Sequence, residues 1–194
     1  MKKSLKLSIL PILLIAFTTQ THAQQRSSNR STKTVTTTTT NKGRSNKIAK
    51  EKVVYKKSQK KVEAYRTLPN KTVVKNNNHE YYISNNNYYT YTGGRYVKTI
   101  PRPGVRISTL PRGYVTVRVD NRSYFNFEGI FYIHTGNVYE VVEPEIGTIV
   151  YELPSGYERV EIDGMTYYEY ANVLYEKVQV DGTRAYEVVG IIEL

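Results

Sequence analysis

The feature that most constrains this chain is an internal repeat, because the second half of the sequence matches itself after a shift of 43 residues. Under this shift Leu110-Pro111 falls on Leu153-Pro154, and Gly113-Tyr114 falls on Gly156-Tyr157. The shift also superimposes Gly104 on Gly147, Val117 on Val160, Val119 on Ile162, Asp120 on Asp163, Tyr124 on Tyr167 and Tyr132 on Tyr175. A period of this length is typical of proteins that stack one supersecondary unit several times.

A third, more divergent copy precedes these two. The same step places Tyr81 on Tyr124 and Tyr89 on Tyr132, whereas Asn70-Lys71 stand where the other copies have Gly-Tyr. We therefore assign repeat 1 to residues 62–103, repeat 2 to residues 104–146 and repeat 3 to residues 147–194.

Each copy has the pattern of short β-strands. Residues 115–119 alternate apolar and polar side chains, and Asp120-Asn121 then supplies a two-residue turn, as do Asp163-Gly164 and Asn77-Asn78 in the other copies. Further breaks are expected at Glu128-Gly129, Gly136-Asn137, Ala171-Asn172 and Asp181-Gly182. Helical periodicity is missing throughout residues 62–194. The sequence predicts an all-β fold of three tandem antiparallel β-meanders, arranged as small barrels or as one sheet assembly.

The turns fix which side chains share a face. A two-residue turn at 120–121 pairs Val119 with Arg122 and Val117 with Tyr124, and a turn at 128–129 pairs Phe131 with Asn126. One face of repeat 2 then carries Val117, Val119, Tyr124 and Phe131, and the same face of repeat 3 carries Val160, Ile162, Tyr167 and Leu174. We name this the valine face and predict that it forms the core.

The opposite face, which we name the aromatic face, mixes aromatic rings with Thr116, Arg118, Arg159 and Glu161. Its rings are Phe125, Phe127 and Tyr132 in repeat 2 and Tyr168, Tyr170 and Tyr175 in repeat 3. These six residues either pack one repeat against another or form an exposed surface for a sugar, a glycan strand or a protein strand. The absence of Trp weakens the carbohydrate interpretation.

The first 23 residues have the pattern of a signal peptide. Lys2, Lys3 and Lys6 precede an apolar run at 7–17, and the small residues Thr21 and Ala23 occupy the positions that signal peptidase requires. As a helix the apolar run reaches about 16 Å, against a hydrocarbon core of roughly 30 Å. We therefore expect cleavage after Ala23, no transmembrane helix in the mature chain, and a location in the periplasm or at the outer-membrane surface, with secretion as an alternative.

Residues 24–61 form a basic arm with twelve Lys and Arg residues against the single acidic residue Glu51. Apolar residues are sparse there, so the sequence predicts a disordered linker that adds nothing to stability. Alternatively, the arm is an electrostatic tether to an anionic surface. The repeats themselves carry 13 basic and 16 acidic residues.

The combination of Leu-Pro-x-Gly-Tyr, Asp-Gly or Asp-Asn, Tyr-Tyr and Tyr-Glu-Val-Val resembles an exported bacterial family, domain of unknown function 6515. The resemblance covers about residues 67–190, and its motifs are short but fairly specific as a set. It implies an exported β-rich protein with no assigned activity. It supplies no catalytic residue that could be transferred to this chain.

The residues themselves favour a protein without catalytic activity. Cysteine is absent, which removes disulfides, thiolate chemistry and lipid attachment at a cysteine. After cleavage only His79 and His134 remain, and no nucleophile, phosphate-binding or metal-binding motif occurs. We expect an envelope protein that is structural or binds a partner, with no cofactor or metal. The alternative is a glycan-active hydrolase that uses two of the many glutamates.

The first prediction concerns processing. Because Thr21 and Ala23 are the small residues of the cleavage site, the mature chain is expected to begin at Gln24. Mass spectrometry of the N-terminal peptide from cell-envelope fractions measures this directly. Recovery of an intact Met1, or cleavage far from Ala23, would contradict it.

Overall fold

The fold is that of a computed structural model, which describes residues 34–37, 47–56 and 62–193. These residues form eighteen β-strands and one short 3-10 turn at Lys50–Lys52. The predicted all-β class is therefore confirmed. The strands form three sheets of five, six and seven strands.

Each repeat supplies five strands. Repeat 1 contains β4 to β8, at Ala64–Tyr65, Thr72–Asn76, His79–Ser84, Asn87–Thr92 and Arg95–Thr99. Repeat 2 contains β9 to β13, at Arg106–Ile107, Val115–Val119, Arg122–Phe127, Ile130–Thr135 and Val138–Val142. Repeat 3 contains β14 to β18, at Ile149–Val150, Glu158–Ile162, Met165–Tyr170, Val173–Val180 and Thr183–Glu193. The last four strands form an antiparallel meander, and the short first strand pairs with the fourth strand of that meander.

The tight turns between strands adopt the backbone conformation that the sequence predicts. Asn77, Asp120 and Asp163 have φ values of 51°, 49° and 50° at the first turn of each meander. Asn and Asp tolerate this left-handed conformation better than most residues. Glu128 and Ala171 also have positive φ, although neither residue type favours it.

The strand register also agrees with the prediction. Val119 pairs with Arg122, and Val117 pairs with Tyr124. Asn126 pairs with Phe131 on the next strand. All four residues of the predicted valine face of repeat 2 therefore point to the same side, where they join one buried cluster.

The three sheets pack face against face. The valine face of repeat 2 and the aromatic face of repeat 3 share one core, which holds Val117, Phe131, Val173 and Tyr175. The valine face of repeat 1 and the aromatic face of repeat 2 share a second core, which includes Tyr88 and Tyr132. Each valine face thus covers the aromatic face of the following repeat.

Close packing at one of these junctions depends on Gly129. A Cβ atom there would lie 2.6 Å from Tyr170 Cδ1 and 2.7 Å from Pro154 Cγ, both in repeat 3. Gly129 also has a φ of 80°, which L side chains rarely adopt. The turn between β11 and β12 can therefore approach repeat 3 only because Gly129 has no side chain.

Part of the basic arm belongs to the fold, so the prediction of a disordered linker at 24–61 is wrong for these residues. The arm contains β1 at Thr34–Thr37, β2 at Lys47–Ala49 and β3 at Val54–Tyr55. They pair with β10, β18 and β15 respectively. Sheet edges offer unpaired backbone groups that even a polar segment can bind. Residues 24–33, 38–46 and 57–61 of the arm, like the predicted signal peptide, lie outside the described residues.

The arm also closes the core at the end of the stack. Val53 is 8% exposed and packs with Val160, Ile162 and Leu174 on the valine face of repeat 3, and Ile48 packs against the same cluster. In the described part of the chain, these arm residues cover that face. An arm with few apolar residues can do this because one buried valine and one isoleucine lie at the right positions.

A pair of adjacent valines tests this contribution. Val53→Asp places an unpaired charge in the core and should lower the free energy of unfolding by about 3 kcal/mol. Val54, which is 58% exposed, is the matched control, and Val54→Asp should change stability by less than about 0.5 kcal/mol. Urea denaturation of both variants measures the difference. Equal midpoints would show that the arm does not dock on repeat 3.

Candidate functional site

The six residues predicted to form a partner-binding face lie between the repeats. Tyr132 is 0% exposed and Tyr175 is 1% exposed, so no partner can reach either ring and a binding role is wrong for both. Phe125 and Phe127 pack against the core shared with repeat 1. Tyr168 and Tyr170 pack against the core shared with repeat 2. In repeats 2 and 3 the aromatic face thus contributes to packing between repeats.

Burial changes the chemistry of these tyrosines. It raises the pKa of Tyr132 and of Tyr175 far above the ordinary value, because the phenolate would lie in an apolar core. The Tyr88 and Tyr132 hydroxyl oxygens lie 3.2 Å apart, in a hydrogen bond that joins repeat 1 to repeat 2. Both hydroxyls remain protonated and satisfy each other at neutral pH.

A set of three aromatic rings recurs on the aromatic face of repeats 2 and 3. In repeat 2 the ring of Phe125 lies 5.5 Å from Tyr114 and 5.5 Å from Tyr139, edge to face. In repeat 3 the corresponding rings are Tyr157, Tyr168 and Tyr186, at 5.6 and 5.5 Å. Such pairs add to stability beyond the area that they bury.

Repeat 1 keeps this geometry with one substitution. Tyr82 and Tyr96 occupy the second and third positions, with ring centroids 5.0 Å apart. Lys71 takes the first position, and its ammonium lies 5.8 Å from the Tyr82 centroid and 4.6 Å from that of Tyr96. Lys71 also donates a hydrogen bond to the Tyr96 hydroxyl. A cation–π contact thus replaces a ring pair.

Within the described residues, no other repeat covers the aromatic face of repeat 1. We name it the tyrosine face and define it as Lys71 with five tyrosines: Tyr65, Tyr82, Tyr89, Tyr91 and Tyr96. Tyr91 is 54% exposed and Tyr65 is 43% exposed, whereas Tyr89 and Tyr96 are largely buried. The ring of Tyr91 lies 4.9 Å from Tyr96, and that of Tyr65 lies 5.8 Å from Tyr89. The result is a patch of phenol rings, partly open to solvent, with one ammonium group in it.

Hydrogen bonds hold the rim of this face. The Tyr82 hydroxyl donates to Glu80, and this bond raises the pKa of Tyr82 to about 12. The same bond, together with Lys75, lowers the pKa of the Glu80 carboxyl. Lys75 Nζ lies 3.4 Å from Glu80 Oε2. The Tyr82 ring is thereby oriented without being buried.

Two glutamates come together elsewhere, in a groove of about 740 Å³ that lies beside the links between repeats. Glu158 and Glu169 are directly opposite on β15 and β16, and both line the groove with Tyr55. Burial and these two carboxylates raise the pKa of Tyr55. Glu169 is buried, and its Oε1 accepts a hydrogen bond of 2.8 Å from the Asn172 amide. Two carboxylates do therefore line one concave groove, as a glycan hydrolase requires.

Neither His79 nor His134 is among the residues that line this groove. His79 is exposed and lies 2.9 Å from the Arg102 guanidinium, and the exposed His134 packs on Tyr139. Within residues 47–56 and 62–193, no group of three or more His, Asp or Glu could hold a metal ion. Among the described residues, no helix is long and apolar enough to span a membrane.

The sequence contained the signal for the tyrosine face, but sequence reasoning considered the aromatic face only in repeats 2 and 3. Shifting Phe125, Tyr132 and Tyr139 back by 43 residues gives Tyr82, Tyr89 and Tyr96. The alignment does not show the order in which the repeats stack. Among the described residues, this order covers the aromatic faces of repeats 2 and 3 and leaves that of repeat 1 uncovered.

Comparison with known proteins gives one match. A family model described as family of unknown function (DUF6515) matches residues 55–192. No curated protein and no solved structure matches the chain.

The buried tyrosines predict a loss of stability at alkaline pH. In the unfolded chain tyrosine ionises near pH 10, whereas burial keeps Tyr132 and Tyr175 protonated in the folded state. Their contribution is complete below about pH 10, and above it the free energy of unfolding should fall by about 1.4 kcal/mol per pH unit for each tyrosine. Urea midpoints at about pH 9 and pH 11 measure this effect.

The control variant is Tyr132→Phe. Its free energy of unfolding should fall less at alkaline pH, because the contribution of one buried tyrosine is missing. Phenolate absorbance should show these two residues ionising only together with unfolding. Ionisation of every tyrosine near pH 10 in a folded protein would contradict the assigned burial.

Proposed function

We propose that this chain, which belongs to the DUF6515 family of unknown function, is an exported cell-envelope protein that binds an envelope glycan without catalysis. The single observation that supports binding is the tyrosine face of repeat 1, where Tyr91 and Tyr65 are exposed, whereas the aromatic faces of repeats 2 and 3 pack against buried cores. The stacked repeats act as a rigid support for this surface.

The chemistry of the tyrosine face suits a polyhydroxylated chain. The exposed parts of Tyr65, Tyr82 and Tyr91 offer flat apolar surface on which the C–H face of a sugar ring can stack. The phenol hydroxyls and the Lys71 ammonium add hydrogen-bond donors around these rings. The absence of Trp limits the affinity of each stacking contact, so we expect binding to repeated units of a polymer.

Export is supported by the sequence of the first 23 residues. After these residues are removed, we expect the mature chain and its binding surface to lie in the periplasm or at the outer-membrane surface. Envelope glycans occur in these compartments, so the proposed location and the proposed ligand class agree.

A hydrolase is the second candidate, because Glu158 and Glu169 face the same groove. Residues directly opposite on neighbouring strands have Cβ atoms about 5 Å apart, which is compatible with carboxylates that share a substrate. We favour a structural role for Glu169, since its carboxylate accepts a backbone hydrogen bond at the 171–172 turn.

A tether through the basic arm is the third candidate. Two of its lysines are already used within the fold, because Lys47 pairs with Glu193 at 3.8 Å and Lys56 pairs with Glu161. A tether would therefore depend on the other basic residues of the arm.

Binding can be measured by co-sedimentation of the mature protein with purified peptidoglycan sacculi. Tyr91→Ala removes the most exposed ring of the tyrosine face and should weaken binding about fivefold, the loss expected for one stacking contact of about 1 kcal/mol. Tyr157→Ala is the matched control, because Tyr157 is 42% exposed but lies in repeat 3, and it should bind like the wild type.

Three outcomes distinguish the candidates. Absence of binding, or equal binding by the Tyr91 and Tyr157 variants, would contradict the glycan proposal. Release of soluble sugar fragments by the wild type but not by Glu158→Gln would support the hydrolase instead. Binding that disappears at high salt and is insensitive to Tyr91→Ala would support the tether.

A further inference from the structure

The outer edges of the three meanders differ in whether a further strand pairs with them. The first meander strand of repeat 2, β10, pairs in parallel with β1 of the arm, and that of repeat 3, β15, pairs with β3. The equivalent strand of repeat 1 is β5, at Thr72–Asn76. Among the described residues it pairs only with β6, so its outer edge offers unused backbone donors and acceptors.

A groove of about 720 Å³ lies beside this open edge. It is lined by Thr72, Val73 and Val74 of β5, by β9, and by the following residues 108–112. Arg106 and Arg112 stand on its rim. The groove therefore combines an unpaired strand edge, a lining of mixed polar and apolar residues, and two arginines.

The same position one repeat later is occupied. A shift of 43 residues carries β5 onto β10 and β9 onto β14. The arm strand β1 lies in parallel beside β10 and also approaches β14. The groove beside β5 is thus the equivalent of a place where this chain already accepts an extended strand.

The net charge of each repeat favours either a basic or an acidic strand at its edge. Repeat 1 carries six Lys and Arg residues and two Glu, whereas repeat 3 carries three and nine acidic residues. The basic arm fits the acidic repeat 3, where Lys56 pairs with Glu161. At repeat 1 the sign is reversed, so a basic segment would be repelled and an acidic one attracted.

We propose that the groove beside β5 is a docking site for an extended acidic segment of a partner protein, added as a parallel strand. The pairing of Thr34–Thr37 with residues 116–119 sets the register. Transferred by one repeat, it aligns the incoming strand with Val73, Val74, Lys75 and Asn76. Backbone pairing supplies the fit, and Arg112 with the positive balance of repeat 1 selects the charge, since Lys75 and Arg106 already pair with Glu80 and Glu140.

Fluorescence anisotropy with labelled peptides on the mature chain tests this. The probe is Glu-Thr-Val-Thr-Val-Glu, and its controls are the same peptide with both Glu replaced by Lys and with both Val replaced by Pro. The acidic peptide should bind at least about tenfold more tightly than the Lys peptide, and the Pro peptide should not bind.

Two exposed arginines provide matched variants. Arg112→Glu should weaken the acidic peptide about tenfold and strengthen the Lys peptide. Arg95→Glu makes the same charge change in repeat 1 away from the groove and should leave the affinity close to that of the wild type.

The position of the strand can be mapped because the chain contains no cysteine. A peptide with one Cys should form a disulfide with Val73→Cys, at the open edge, and not with the control Val62→Cys, which is more exposed. Cross-linking at both sites or at neither would overturn the docking site.

Other outcomes also contradict the proposal. Tighter binding of the Lys peptide would identify the groove beside β5 as a site for basic segments that resemble the arm. Equal binding of both peptides that Arg112→Glu does not change would remove the charge selection. Self-association of the wild type that Arg112→Glu abolishes would identify a second copy of this chain as the occupant.

Discussion

The structure depends on one constraint: each repeat is a single sheet with two apolar faces, and neither face can be left in water without cost. Stacking resolves this for the inner surfaces, because the valine face of one repeat covers the aromatic face of the next. The two outer faces of the stack, on repeat 3 and on repeat 1, are not covered in this way. Residues 47–56 of the arm cover the valine face of repeat 3, and a partly polar set of tyrosines with Lys71 faces outward from repeat 1. Repeat proteins commonly need such atypical ends.

The divergence of repeat 1 follows from its place at the end of the stack. Where repeat 2 has Tyr114, repeat 1 has Lys71, which keeps contact with two rings while its ammonium remains near water. Where Ile107 is buried in repeat 2, Tyr65 stands half-exposed in repeat 1. Asn70 with a φ of 46° retains the turn made by Gly113 in repeat 2. The backbone is conserved between the repeats, whereas the exposed side chains are adapted to solvent.

Local sequence rules predicted a large part of this fold, and the reasons are physical. Alternation and Asp-Asn or Asp-Gly turns specify strands, register and faces, and Val117 opposite Tyr124 is an example. The order of stacking was not predictable, because it depends on contacts between residues far apart, such as Tyr88 and Tyr132. For that reason the sequence left open whether Tyr132 and Tyr175 pack between repeats or bind a partner, and their burial supports packing. The docking of Val53 was missed because low average hydrophobicity conceals a single well-placed apolar residue.

The most direct test of the stacking is the energetic coupling between Tyr88 in repeat 1 and Tyr132 in repeat 2, whose hydroxyls lie 3.2 Å apart. A double-mutant cycle with Tyr88→Phe and Tyr132→Phe, followed by urea denaturation, measures this coupling. Each single change leaves a buried hydroxyl without its partner, so the account predicts a coupling of about 1 kcal/mol. A control cycle between Tyr88 and Tyr175, which lie in different cores, should be additive. Additivity in both cycles would contradict the face-to-face packing of the repeats.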